Sequence, residues 1–154
     1  MHKFDEFIHR ELAPHLSAGE GIDLTGFLYT KSLRGVVLSG GLSLVGDGYY
    51  FAALTRKRMF IIATSMGIAS LNMENKGLSD IPYAEIKSIK PSGFLNQKMI
   101  AIELKDGKIV VFRLNSLATH YASGQKQFIE TLIQYVGAGL VPRSGISPPK
   151  LMDK

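Results

Sequence analysis

Two β-hairpins sit in the middle of this chain, and both read as oily on their two faces. Tyr49 to Thr55 and Arg58 to Thr64 are aromatic and β-branched runs joined by Arg56-Lys57. Lys98 to Lys105 and Lys108 to Leu114 are joined by Asp106-Gly107, a dipeptide that accepts the positive φ of a tight turn. If each hairpin closes on two residues, directly opposed residues share a face. The first then carries Tyr50, Ala52, Leu54, Met59, Ile61 and Ala63 against Tyr49, Phe51, Ala53, Phe60, Ile62 and Thr64. The second carries Ile100, Ile102, Leu104, Ile109 and Val111, edged by Arg113, against Met99, Ala101, Val110, Phe112 and Leu114, interrupted by Glu103. A half-buried antiparallel sheet alternates apolar and polar residues, so a sheet greasy on both sides has to be covered twice. One side can close on itself. The other falls to amphipathic helices, to a second copy of the chain, or to both, because large exposed apolar patches are uncommon on monomers. This reading favours a homo-oligomer, with Met99, Val110, Phe112 and Leu114 as a candidate sheet-face interface.

Helices are available for that task. Phe4, Phe7, Ile8 and Leu12 recur at helical spacing with charge between them, and Pro14 closes the run, which predicts a helix over residues 2 to 13. Tyr121, Phe128, Leu132 and Val136, with Ile129 and Ile133 beside them, predict a second helix from near Ser116 to the Gly137-Ala-Gly139 stop. Ile22, Leu24 and Leu28 predict a strand weakened by Gly26, and shorter strands are expected near Gly67 to Leu71 and Ile86 to Lys90. The closing VPRSGISPPKLMDK lacks periodicity and reads as an extended tail. The expected organisation is an N-terminal helical extension over 1–18, one domain over 19–138 and a tail over 139–154.

With 154 residues, a domain of this kind buries roughly 70% of the surface its unfolded chain exposes, so neither a disulfide nor a metal is required as a staple. The chain has no cysteine, which removes thiolate zinc sites, iron–sulfur clusters and a cysteine nucleophile together. The formal charge of +5 is uneven. Through Thr30, two basic residues stand against five acidic ones, a net −3; the rest holds 16 basic against 8 acidic, a net +8. That asymmetry suits an anionic surface or an acidic partner, and equally an acidic segment folded back on a basic body. The charged N-terminus lacks the apolar run of a signal peptide, and no stretch approaches the roughly 20 apolar residues of a membrane span. A cytosolic chain, membrane-peripheral in the reading below, is expected.

Lys31 to Gly48 is an apolar insertion in which VVLS and LSLV flank Gly40-Gly41. It reads as a small hairpin, a short helix or a loop. Val36, Val37, Leu38, Leu42, Leu44 and Val45 form a candidate interface or membrane-insertion segment, and Lys31 and Arg34 are candidate contacts to an anionic leaflet. Two surface cations contribute about 1 kcal/mol each near such a leaflet, so insertion of aliphatic side chains has to supply the remainder.

Leu54-Thr55-Arg56-Lys57-Arg58-Met59 and Ile81-Pro82-Tyr83-Ala84-Glu85-Ile86, followed by a DG hairpin and one C-terminal helix, resemble the bacterial pleckstrin-homology-like family related to GRAM domains. The resemblance covers about Gly19 to Val136. It implies a mostly β fold with helices: a bent, antiparallel, seven-stranded barrel or sandwich capped by the last helix, here with an added N-terminal amphipathic helix. It also implies a binding or assembly module, often oligomeric, with no catalytic residues to carry over. Lys31, Arg56 and Arg58 superficially match the basic spacing of phosphoinositide-holding relatives. Arg56 and Lys57, however, form the turn after the second strand, at the wrong end of the sheet, and Arg58 is expected to pair with a carboxylate or cap a carbonyl.

Enzyme chemistry finds little support. His2, His9, His15 and His120 form no metal-ligand spacing, and Asp47 stands where a phosphate loop over Gly41 to Gly46 would need its lysine. No cofactor is expected. Nucleic acid is disfavoured because the longest basic run is Arg56-Lys57-Arg58 and the aromatics occupy core-like strand positions. The reading is a non-enzymatic module acting through self-association and protein contacts; the alternative is a peripheral membrane adaptor inserting residues 36–45.

Overall fold

The computed structural model describes residues 3–30, 48–64 and 77–140. Helix α1 (Lys3–Leu12) precedes strands β1 (Leu24–Thr30), β2 (Gly48–Leu54), β3 (Arg58–Thr64), β4 (Gly77–Pro82), β5 (Ile86–Phe94), β6 (Gln97–Leu104) and β7 (Ile109–Asn115), and helix α2 (Phe128–Leu140) follows. The seven strands form one antiparallel sheet in the order β4-β3-β2-β1-β7-β6-β5, so the sheet is not closed and β4 and β5 are its edges. The mostly β, seven-stranded architecture with a helix at each end therefore stands. The insertion over Lys31 to Gly48, its Gly40-Gly41 turn and the strand expected near Gly67 to Leu71 lie essentially outside the described residues.

The sheet bends about β1. This strand pairs with β2 over its whole length, from Leu24↔Leu54 to Thr30↔Gly48, but with β7 only at Tyr29↔Arg113. Side chains of β2 and β3 meet those of β6 and β7 across the bend in one core that α2 caps with Phe128, Leu132 and Val136. A second cluster lies on the opposite side of β2 and β3, where Phe7, Ile8 and Leu12 of α1 cover Phe51, Phe60 and Ile62. Burial of each such side chain is worth about 1.5 to 3 kcal/mol. The first hairpin is thus apolar on both faces, as its sequence predicts, and the chain's own helices cover both.

The second hairpin departs from expectation by one residue. Its loop is Lys105-Asp106-Gly107: the Leu104 N–H donates to the Lys108 carbonyl at 2.8 Å, Gly107 adopts φ +91°, and Asp106 Oδ1 accepts from the Lys108 N–H at 3.0 Å. A three-residue loop with glycine in the left-handed region opposes Ile100 to Phe112 and Met99 to Arg113. Because strand side chains alternate, that single slip exchanges the partners on each face. Val110, Phe112 and Leu114 join Ile100, Ile102 and Leu104 in the core, while Met99, Ala101 and Glu103 share the outer face with Ile109, Val111 and Arg113. The proposed face of Met99, Val110, Phe112 and Leu114 is accordingly no surface; three of its members are buried in this chain's own core.

The C-terminal helix starts 12 residues later than its apolar periodicity predicts. Residues 116–127 instead make successive turns, and the reason is Gln125, which is 1% exposed. Its Oε1 accepts from the Phe27 N–H at 2.7 Å, and its Nε2 donates to the carbonyls of Phe27 at 2.8 Å and Asn115 at 2.9 Å. The amide substitutes for the β1–β7 ladder where those strands part. Gly26 lets the α2 ring of Phe128 lie directly on β1, where a Cβ would overlap it. Asp5 of α1 completes the junction by accepting from Thr25 Oγ1 at 2.7 Å and the Ser123 N–H at 3.3 Å. Gln125→Ala leaves two buried groups of Phe27 and the part-buried Asn115 carbonyl without this partner, and a loss of about 3 kcal/mol in urea unfolding is expected, with Phe128→Leu costing less.

Candidate functional site

The two sequence motifs of the family resemblance meet in space as a latch. Thr55 Oγ1 accepts from the N–H groups of Lys57 and Arg58 at 3.1 and 3.2 Å, shaping the β2–β3 turn. Tyr83 closes on the same turn: its hydroxyl donates to the Thr55 carbonyl at 2.7 Å and its N–H to the Lys57 carbonyl at 3.0 Å. Arg58 grips Glu20 through Nε at 3.1 Å and Nη2 at 2.8 Å, reaches Asp80 through Nη1 at 3.3 Å, and donates to the His15 carbonyl at 2.9 Å. Its guanidinium also stands 4.4 Å from the Phe60 ring centroid. Arg58 therefore both pairs with carboxylates and caps a carbonyl, and its donors are spent within the fold.

This network has a clear electrostatic signature. Hydrogen bonding from Arg58 holds the Glu20 carboxyl down at about 2, with the Ser17 N–H and the Thr55 hydroxyl adding to it against the opposing effect of burial. Glu20 in return raises the Arg58 value further. Burial pushes the Tyr83 and Tyr135 phenols upward, the latter also because it donates to Asp23 Oδ2 at 2.9 Å. Arg56 joins that corner by an Nε contact to Asp23 at 2.9 Å and by stacking 5.0 Å from the Tyr135 ring centroid. Perturbed groups in a cleft would point to chemistry; here each is saturated by protein partners, and the cluster holds the start of β1, the β2–β3 turn, β4 and α2 together.

The opposite end of β5 is different. A cleft of about 540 Å³ lies between β5 and α2, with Pro91, Ser92 and Gly93 on one wall and Ile129, Ile133 and Gln134 on the other. Lys98 and Lys126 both face it, as do Ser116 and Glu130. Among the described residues neither lysine is in an ion pair, whereas Glu130 has a partner of its own. Next along the chain from Gly93 is the β5–β6 turn, outside the cleft lining, where Phe94 is 75% and Leu95 71% exposed and Leu95 adopts φ +54°. A leucine in the left-handed region costs about 1 to 2 kcal/mol relative to glycine. Asn96 ties this tip to the end of β7, its carbonyl accepting from the Ser116 N–H at 2.9 Å.

A third surface is the outer face of β6 and β7. Met99, Ala101 and Val111 are half-buried there and Ile109 is 42% exposed, and none of them belongs to either hydrophobic cluster. Glu103 and Arg113 flank them.

Of the residues singled out in sequence, Met99 lies on that outer face and Val110, Phe112 and Leu114 lie in the core. Lys31, Arg34, Val36, Val37, Leu38, Leu42, Leu44 and Val45 fall outside the described residues. The tip and the cleft were missed. Their one local signal is Phe94-Leu95-Asn96, large apolar residues where turn chemistry favours Gly, Asn or Asp; the cleft itself joins segments more than 30 residues apart. Among the described residues no three His, Cys, Asp or Glu side chains come together to hold a metal, and no helix is long and apolar enough to cross a membrane.

No family model matches the chain, and no curated protein matches it in sequence. Among solved structures it is similar to the C-terminal domain of an unknown protein from Leishmania infantum, at 14% identity and a TM-score of 0.53 over 87% of this chain and 98% of that one. It is also similar to a DUF1696 family protein with a pleckstrin-homology domain from Shewanella loihica PV-4, at 14% identity and a TM-score of 0.48 over 88% and 91%. The first similarity shows a shared fold.

The latch has a pH signature. Because the Glu20 carboxyl lies near 2 in the folded chain and near 4.5 when unfolded, its contribution is full above about pH 4.5 and is lost as pH falls toward 2. Glu20→Gln is expected to lower stability at pH 7 by up to about 3 kcal/mol. Its difference from the parent chain should close between pH 4.5 and 2 in urea titrations.

Proposed function

We propose that the chain is a non-enzymatic, pleckstrin-homology-like binding and assembly module acting in the cytosol through protein contacts. Support for the family reading comes from the strand order, the capping α2 and the way the two motifs interlock through Thr55 and Tyr83. Support for a non-enzymatic role comes from the latch, whose titratable groups are consumed by structural bonds. The oily β2–β3 ribbon no longer argues for self-association, since α1 and α2 cover it.

The observation that carries the assembly reading is the outer face of β6 and β7. It offers Met99, Ala101, Ile109 and Val111 between Glu103 and Arg113, and a two-fold axis through the patch would bring each Glu103 toward the partner copy's Arg113. Strand-to-strand pairing at the edges is a poorer route. Edge β5 carries Lys87, Lys90, Pro91 and a register irregularity between Ile86 and Ser88, and edge β4 carries Asp80 and Pro82, the devices that blunt exposed edges. Light scattering is expected to show mass rising with concentration from micromolar to millimolar, and Ile109→Lys with Val111→Lys should abolish the rise. A strict monomer throughout overturns self-association, and a rise that survives both substitutions overturns this surface.

The second reading is a membrane-peripheral adaptor, favoured by six aliphatic residues from Val36 to Val45 preceded by Lys31 and Arg34. In flotation with anionic liposomes, Leu42→Asp plus Leu44→Asp is expected to abolish association. Unchanged flotation eliminates insertion by that segment.

A further inference from the structure

We propose that the cleft between β5 and α2 is a docking site for a short acidic–aliphatic segment of a partner protein. The assignment is independent of self-association, which uses the outer face of β6 and β7.

Charge selects the partner's sign. Lys98 and Lys126 face a cleft of about 540 Å³ without an ion-pair partner among the described residues, and the one carboxylate on the lining, Glu130, pairs with neither. A second copy of this chain presenting the same end would bring lysine against lysine. An acidic partner meets complementary charge, which speeds encounter and fixes register.

Shape selects its form. Ile129 and Ile133 are half-buried, four residues apart on one shoulder of α2, and line the cleft together with Leu114. The cleft has two walls, β5 on one side and α2 on the other, and an extended peptide can place side chains between them. Pro91 removes a backbone donor from β5 beside the cleft, so recognition falls to side chains and hydroxyls, Ser92 and Ser116 among them, more than to an added strand. The apolar contacts come from Ile129, Ile133 and Leu114, since Phe94 opposes Gln97 and so points to the other face from the Gly93–Lys98 pair that lines the cleft.

The test uses the full chain and a fluorescein-labelled synthetic octapeptide bearing three glutamates and three leucines, read by fluorescence anisotropy. Saturable binding is expected, weakened at least tenfold by Lys98→Glu and by Lys126→Glu, retained by Lys126→Arg, and weakened several-fold by Ile133→Ser. Replacing the peptide's glutamates by glutamine should remove binding, and raising salt should weaken it. Circular dichroism melting verifies that each variant is folded; because Lys126 is exposed and outside any strand or helix, its variants remain informative where Lys98 variants lose the fold. Absence of binding at millimolar chain, binding indifferent to both lysine reversals, or equal affinity for a lysine–leucine peptide each overturns the assignment. So does lysine-dependent binding to phosphatidylcholine–phosphatidylglycerol vesicles with none to the peptide, which would identify the surface as membrane-facing.

Discussion

A β-ribbon that is apolar on both faces cannot stand in water, and the arrangement of this chain follows from how β2 and β3 are covered twice. On one side the sheet bends over itself about β1 and α2 seals the core with Phe128, Leu132 and Val136. On the other, α1 lays Phe7, Ile8 and Leu12 across Phe51, Phe60 and Ile62. The N-terminal helix is thus part of the fold's hydrophobic balance, and Asp5 secures it by bonding to both Thr25 and Ser123. With those faces closed internally, the described residues leave for partners the outer face of β6 and β7 and the cleft end of α2.

The two ends of α2 have contrasting chemistry. Near Tyr135 the helix meets a cluster in which Arg58 pairs with Glu20 and Asp80, and Arg56 with Asp23. The Glu20 carboxylate, whose side chain is 1% exposed, is tolerable because a bidentate guanidinium, a hydroxyl and a backbone N–H surround it. Near Ile129 the helix borders two lysines that nothing in the described fold neutralises, beside two large apolar residues at a strained turn. Saturated charge at one end and unsaturated charge at the other separate the part that holds the fold from the part available to a ligand.

Much of this was legible from local pattern. The β2–β3 register, the helix over Lys3–Leu12 and the role of Arg58 as a pairing and capping residue all rest on neighbours near in sequence or on residue chemistry with few outlets. The readings that failed have separate physical causes. A three-residue loop at Gly107 in place of a two-residue one inverts the second hairpin's faces, and DG is compatible with both. The apolar spacing from Tyr121 is helical in period, yet Gln125 is drawn out of a helix to pair with Phe27 and Asn115. Strand β5 runs on through Pro91 because an edge strand has no neighbour to miss the proline's N–H.

By itself, then, the sequence determined the fold class, the doubly apolar β2–β3 ribbon, the two amphipathic helices and the motif residues that interlock. These follow from periodicity and residue chemistry, which act over a few positions. Only the tertiary structure decided which helix covers which face, which face of the second hairpin is inside, and that Lys98 and Lys126 come together over Ile129 and Ile133. Those outcomes depend on one turn dihedral and on segments brought together by burial, and neither is written in the local alternation of apolar and polar residues.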